Sequence, residues 1–590
     1  MRKPLYAVMT VTFGVALVAA LPIRAFNESI DYDGINKIKT QGLVVANSQV
    51  MQVSSYLTDV YGPRLTGSPN VQKAGEYAVA KMKEWGLTNV SLEPWTPCPA
   101  QPAPAAGAAG APAAGGGRGG GQPPACSFPR GWVNEKFYMS AVAPQQFPIS
   151  GTPTGWTPGT AGLVRGDVVM VTENTAEELQ AKYAGGKLKG KWVITAAAPD
   201  VPAYFTAPGK RYTKEELEKM DSPDHPAEMG ATPAGGRGAA APAPGGRGGA
   251  AGGGVPFNRN NWFKTEGVLG VLSTAPRGHG IYTIGGSSAT DPITGLTAIA
   301  IAAEQYGRIA RILEKGMPVT IEADIKNTYT PNPPMFNVVG EIAGTDKADE
   351  VVMLGAHFDS WHASTGATDN AAGSAAMMEA MRILKQSGVK LRRTVRIGLW
   401  TGEEQGLFGS SDYVKRHFGT AAGGGRGGGG GRGAAGAPGA APAAAPAPTP
   451  AAFTPEHAKF AGYFNIDNGT GAIRGIYLQQ NQAVAPIFRE WMEPFRSIGM
   501  TTIAAGNTGG TDHQSYDAVG LPGFQFIQDE VEYNSMTHHT NLDSYERLQP
   551  EDMRRNATIA AAFAFLAANR DEKLPRKPAT ALPGGGRGGM

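Results

Sequence analysis

The sequence predicts an α/β fold with a mostly parallel, mixed sheet, accompanied by a separate β-rich module. Three observations predict it. From Val351 onward, apolar and β-branched runs alternate with segments of helical periodicity, the pattern of strands joined through helices. The run Val351–Ala356 is apolar without alternation, as expected of a strand covered on both faces. The stretch from 130 to 295 reads mostly as strands and lies between Ala/Gly/Pro-rich segments that cannot bury a core.

At 590 residues the chain is too long for one compact core. Its 82 Gly and 45 Pro are unevenly distributed: 99–125, 231–254, 421–452 and the end from Pro583 are built almost wholly from small residues, Pro, Gln and Arg. These read as solvated surface insertions and a tail; their Gly-Gly-Arg-Gly-Gly pattern also occurs in RNA-binding segments. A net charge of +3 gives no argument for nucleic acid or an acidic membrane as partner. Arg2 and Lys3, then a mostly apolar Leu5–Leu21 and Ala25, read as an export signal over 1–25. No later run is apolar enough for a span, so the mature chain is expected to be exported, periplasmic or secreted, without a stable membrane span. In such a compartment Cys98 and Cys126, the only two cysteines, suit a disulfide closing off the stretch between them. It would contribute about 3 kcal/mol through loop entropy.

The domain reading follows. Residues 26–98 open the larger domain, 130–295 form the inserted module, 296–575 complete the larger domain and 576–590 are tail. Tyr61–Pro69 is turn-rich and leads into an amphipathic helix with Ala74, Ala78, Met82 and Trp85 on one stripe, closed by Gly86. Leu87–Trp95 alternates like a strand. In the module, Leu163–Thr172 and Lys191–Thr195 read as strands around a helix at Ala176–Tyr183, and Val268–Leu272 and Gly280–Ile284 continue the β pattern. Ala298–Leu313 reads as a helix, Val319–Ile325 and Asn337–Ile342 as strands. After Val351–Ala356, the helix Ala371–Lys385 places Met377, Met378, Met381 and Leu384 at core spacing. Thr394–Trp400, Phe460–Ile466 and Phe524–Ile527 read as strands; Gly409–Phe418, Gln482–Phe495 and Glu551–Ala568 read as helices.

The polar residues that bear chemistry fall just past strand ends, where open α/β sheets hold their ligands. His357 and Asp359 follow the first strand, and a loop leads on to Asp369. Thr401-Gly-Glu-Glu-Gln-Gly406 follows the second, Asp467 the third, and a loop ending in His538-His539-Thr-Asn-Leu-Asp543 the last. Imidazole and carboxylate without thiolate suit zinc, with manganese or cobalt as alternatives. Five such ligands exceed one tetrahedral ion with an open position, but they fit two ions sharing a carboxylate. Neighbouring Glu403 and Glu404 point different ways, so one can bind metal while the other takes a proton from water. Taken singly, paired glutamates read as a solvated helix start and Asp369 as a helix cap; only the ordered set reverses this.

In order, HFDS, TDNAAG, TGEEQGLFGS, FNIDNG, TDHQSYDAVGLPG and HHTNLD resemble the co-catalytic zinc exopeptidases, a family including bacterial aminopeptidases, glutamate carboxypeptidase II and carboxypeptidase Q. The resemblance covers about 335 to 570; Arg64-Leu-Thr-Gly-Ser-Pro69 resembles the family's N-terminal region and the β-rich insert its protease-associated domain. It implies a three-layer zinc-exopeptidase fold and two zinc ions, His357 and Asp467 on one, Glu404 and His539 on the other, Asp369 bridging. Glu403 would be the general base that activates a metal-bridging water, and Asp359 would orient His357 through its second ring nitrogen. Where several relatives have Tyr before the last ligand, this chain has His538, so His538 or Tyr533 would complete oxyanion stabilisation. The expected activity is hydrolysis of a peptide or dipeptide by an aminopeptidase, with a carboxypeptidase Q-like dipeptidase or carboxypeptidase as the alternative; a homodimer is compatible with the resemblance. Asp512 and Glu532 are candidates for a substrate amine, Arg474 for a carboxylate. A one-metal, glutaminyl-cyclase-like acyltransferase would not need both His357 and Asp467, and a receptor-like relative would lack ligands.

Overall fold

The computed structural model describes residues 28–96, 130–221, 257–287, 295–421 and 451–577. The export signal, Cys98 and Cys126, the insertions 99–125 and 231–254, nearly all of 421–452 and the tail from Pro583 lie outside the described residues.

The larger unit is built on an eight-stranded mixed sheet. At its centre Arg393–Trp400, Lys347–His357, Phe460–Asn465 and Gly523–Gln528 run parallel. Thr88–Pro94 and Phe336–Ile342 extend it antiparallel on one side, and Ile473–Tyr477 with Thr502–Ala504 close the other. Because the central strands are covered on both faces, Val352, Met353, Leu354 and Ala356 are all fully buried, which explains the unalternating sequence. On one face the helix Ala372–Gln386 and the Ala-rich helix Pro550–Asn569 lie side by side on the sheet, with Tyr32–Leu43 against both. Nearly every residue of the two inner helices is buried, so neither shows a polar stripe. A Cβ on Gly373 would lie 2.4 Å from Asn370 Oδ1 and 2.6 Å from the Ile466 carbonyl, so only glycine lets this helix begin against the neighbouring strand end. The other face carries Phe408–His417, whose Tyr413 packs into a cluster with Trp400, Tyr463 and Tyr516.

The second sheet also has eight strands, in the order Phe147–Pro148, Arg130–Ala143, Thr320–Pro331, Val164–Met170, Trp192–Ile194, Gly270–Ser273, Ala298–Ile301 and Gly151–Pro153. Three sequence expectations are corrected here. Ala298–Leu313 is a strand, Ala298–Ile301, and then a helix, Ala303–Glu314: the first residues fill a gap between strands of the module before helical periodicity takes over. The module's sheet therefore runs to Pro331, past the boundary expected at 295. Gly280–Ile284 is no strand but an irregular segment with one bridge, Thr283 to Thr540, to the larger unit. In addition, Gln482–Phe495 divides into a short α-helix, Ala485–Met492, between two 3₁₀ turns, and Ala452, within a stretch read as solvated insertion, pairs with Thr420. No helix among the described residues is long and apolar enough to cross a membrane.

Candidate metal centre

The carboxyl ends of the four parallel strands bring the predicted ligands together. His357 ends its strand, Glu403 and Glu404 follow Arg393–Trp400, Asp467 lies two residues past Phe460–Asn465, and His538 and His539 lie in the loop after Gly523–Gln528. His357 Nε2 is 3.1 Å from Asp369 Oδ1 and 3.0 Å from Asp467 Oδ1. His539 Nε2 is 3.3 Å from Asp369 Oδ2 and 2.9 Å from Glu404 Oε2. Asp369 thus turns one oxygen to each histidine. The side chains form two clusters able to hold a metal ion, one around His357, Asp369 and Glu404 and one around Asp369, His538 and His539, with Asp369 common to both.

The charges support that reading. Burial would raise the Asp369 pKa, but His357 and His539 hold it well below the usual carboxylate range. Burial pushes Glu403 well up, with Asp467, Asp512 and Glu404 adding and His357 opposing. Burial, with Asp369 adding, pushes Glu404 to about 7; the same cause, with Asp467 and Asp359 adding, pushes Asp512 to about 8. Glu404 Oε1 is buried without a hydrogen-bond partner. So many buried carboxylates around two imidazoles lack positive charge, and divalent cations are the chemistry that supplies it. The residues present fit the group.

Surrounding side chains fix the geometry. The Asp359 carbonyl, at 3.1 Å, is what His357 Nδ1 meets; the Asp359 carboxylate is 3.7 Å away. That carboxylate instead accepts from Thr66 Oγ1 at 2.7 Å and from the Glu403 N–H at 3.3 Å, tying the start of the Glu403 loop to the His357 strand end. Asp543, in the HHTNLD motif but without an assigned role in the sequence reading, accepts from the N–H groups of Thr368 and Asp369 at 2.6 and 3.1 Å and so holds the Asp369 loop. Arg64 is fully buried and donates to the carbonyls of Phe358, Leu57, Thr365 and Gly366 at 2.8–2.9 Å, a structural tie for the loop after His357.

The substrate candidates fare unevenly. His538 stacks on His539 with centroids 4.0 Å apart, and Tyr533 packs on His538 at 4.8 Å. Asp512 is wholly buried, its charge felt by Glu403. Glu532 is paired with Arg547 at 2.8 Å and Arg474 with Asp529 at 3.1 Å, so neither is free to meet a substrate. His513 is enclosed, its Nε2 3.1 Å from the Thr508 carbonyl. Trp361 does line the cavity over Asp369, Glu404 and His539, together with Ile284.

Ile284 comes from the inserted module, which sequence reasoning had left without a functional part. Its N–H donates to the His539 carbonyl at 2.8 Å, and the Tyr282 N–H donates to Asn541 Oδ1 at 2.9 Å. His539 itself has φ 54°, left-handed backbone that a non-glycine residue keeps only when its surroundings hold it. A second arm of the module grips the other end of the same loop: Lys210 and Val531 exchange both backbone hydrogen bonds at 2.7 Å, and Arg211 pairs with Asp529 at 2.9 Å. Most of these contacts are made by backbone in irregular segments, so no residue pattern announced them.

Residues 337–564 match the family model described as Peptidase family M28. Carboxypeptidase Q of Mus musculus is 26% identical over 286 residues, 48% of this chain and 53% of that protein. Carboxypeptidase Q of Bos taurus is 23% identical over 522 residues, 88% of this chain and 85% of that protein. Against the mouse protein and its rat counterpart the match spans about half the relative's length. The crystal structure of a peptidase M28 precursor from Shewanella amazonensis superposes with a TM-score of 0.59 at 21% identity, covering 93% of this chain and 99% of that one, which shows a shared fold.

Proposed function

Since residues 337–564 are a peptidase family M28 domain, we propose that this protein is a zinc-dependent exopeptidase, and that its 130–331 module is a protease-associated domain contributing to the site. One observation carries the reading: Asp369 faces both His357 and His539, so two ligand sets share one carboxylate. His357, Asp369 and Asp467 would hold one zinc ion and Asp369, Glu404 and His539 the other. Bound there, the ions would polarise the scissile carbonyl and make a water acidic enough to attack at neutral pH.

The chain supplies the rest. The Glu403 carboxylate takes a proton from the attacking water and returns it to the leaving nitrogen. Asp359 and Thr66 hold the backbone from which Glu403 reaches the site. Tyr533, whose pKa burial pushes well above the ordinary phenol value, keeps its O–H and can donate towards a developing oxyanion alongside His538. Trp361 and Ile284 wall the cavity.

The two amine anchors considered from the sequence are respectively enclosed (Asp512) and ion-paired (Glu532). Arg474, the carboxylate anchor considered with them, is likewise paired with Asp529, so groups other than these three set which end of the peptide is recognised. The test is incubation of the purified chain with free, N-blocked and C-blocked dipeptides, before and after chelation and zinc restoration. Cleavage that is lost on chelation and regained with zinc is expected; cleavage indifferent to chelator sinks the proposal.

A further inference from the structure

His538 and His539 are neighbours in sequence, and neighbours in extended backbone send their side chains to opposite sides. Here they do not. His538 has φ −56° and ψ 115°, but His539 sits at φ 54°, and this left-handed step brings both imidazoles to one side. The rings stack with centroids 4.0 Å apart and planes 25° from parallel, and Tyr533 packs on His538 at 4.8 Å. Both rings turn Nε2 towards one atom: Asp369 Oδ2 lies 3.3 Å from that of His539 and 3.9 Å from that of His538. This oxygen is buried and has no hydrogen bond among the described residues. Ligands about 2.0–2.1 Å from a tetrahedral zinc stand about 3.4 Å apart, so His539 is already at ligand spacing and His538 is within about half an ångström of it. The donor atoms of Asp369, His538 and His539 all fall within 4.8 Å of one another, and Glu404 Oε2 is 2.9 Å from His539 Nε2.

We propose that His538 is a further ligand of the zinc ion held by Asp369, Glu404 and His539, which brings the protein donors on that ion to four, against three from His357, Asp369 and Asp467 on the other. The assignment rests on the two-zinc exopeptidase reading and deepens it, because it makes the two ions unequal. Each added donor adds binding energy, so the ion at His538 and His539 is the tighter and the ion at His357 is the first to leave. His538 then gives its Nε2 to the metal, and donation towards the oxyanion is left to Tyr533. The left-handed backbone at His539 acquires a purpose: it aims two consecutive imidazoles at one carboxylate oxygen.

The test uses the full chain, stripped of metal and reloaded with zinc. In H357F the zinc that remains belongs to the His539 set, and X-ray absorption at the metal edge should find two imidazoles on it. A single imidazole, or a folded H357F chain that retains no zinc where the wild type holds two ions, overturns the proposal. Competition with a chelating dye then measures each affinity. H538F should weaken the tighter site about 10²-fold or more, as loss of one donor in four predicts, and leave the weaker site unchanged. Phenylalanine keeps the stack on His539, so the loss reports the nitrogen rather than the packing. If H538F lowers kcat while both zinc affinities stay at wild-type values, His538 serves the oxyanion and the ligand assignment falls. Equal weakening of both sites would make His538 a structural prop and also overturn it. These measurements need no substrate: a chain that binds zinc in this way but cleaves no dipeptide sinks the exopeptidase reading and leaves His538 a ligand.

Discussion

Two regions of the molecule meet at the loop 529–541, and they are built in opposite ways. The strand ends of the larger sheet deliver side chains: His357, Glu404 and Asp467 each leave a regular element and reach into a buried cleft. The arms of the inserted module deliver mostly backbone: Lys210 pairs with Val531, and Ile284 donates to the His539 carbonyl. The first region depends on residue type, because carboxylate, imidazole and thiolate are the side-chain groups that bind zinc. The second depends on position, since almost any residue can donate a backbone N–H. We read the strand ends as the chemistry and the arms as the frame that aims it.

The sharpest way to break this division is at the residue both ligand sets share. Asp369→Asn should lower bound zinc from two ions per chain towards none and cut kcat/KM by about 10³-fold or more, the several kcal/mol that metal polarisation is worth. His539→Ala, touching one set, should leave one ion by elemental analysis. If Asp369→Asn retains both ions, the shared-carboxylate geometry is wrong. Next in size is Glu403→Gln, expected to reduce kcat by about 10²–10⁴-fold, as for a lost general base. Its zinc content should stay unchanged; near-normal turnover would remove Glu403 from the proton path.

The contrast also explains what was legible in the sequence. The central strands were readable because burial on both faces forces continuous apolar runs, and the candidate ligands could be named because six motifs stand in order at strand ends. Asp543 was in plain view yet unassigned, since a carboxylate that holds the N–H groups of Thr368 and Asp369 looks like any loop aspartate until the loop is folded. Ala298–Ile301 was absorbed into a helix because Ala and Ile suit either state and the tertiary gap between Gly270–Ser273 and Gly151–Pro153 decided. Ile284 was invisible because its contact with His539 depends on where an irregular segment docks.

A smaller effect tests the frame itself. Ile284→Pro removes the N–H that holds the His539 carbonyl, whereas Ile284→Ala keeps it and removes only the side chain. The proline variant should bind its second zinc about 10–100-fold more weakly, the usual cost of losing a partner that orients a metal ligand. The alanine variant should bind zinc normally and alter only KM. Equal zinc affinity in both would reduce the module to a passive cover.

The smallest expected effect lies where the two regions dock. His362, in the loop after His357, approaches the Pro153 carbonyl of the module through Nε2 at 2.7 Å and packs on Trp132 at 4.7 Å. A carbonyl can only accept, so the neutral ring donates from Nε2, and Nδ1 is buried without a partner to receive a second proton's charge. Burial accordingly pulls the His362 pKa from 6.5 to about 4. The folded value is lower than the unfolded one, so above pH 6.5 both states are neutral and docking is at full strength. As the pH falls from 6.5 to about 4 the unfolded state takes up a proton that the folded state refuses, and stability drops. For a ring that keeps some exposure, the loss is on the order of 2 kcal/mol. Denaturant midpoints across this range should therefore fall more steeply in the wild type than in His362→Gln, whose amide can still donate to Pro153 but does not titrate. Parallel pH profiles would show that the module is held by its backbone arms alone, with His362 contributing nothing to docking.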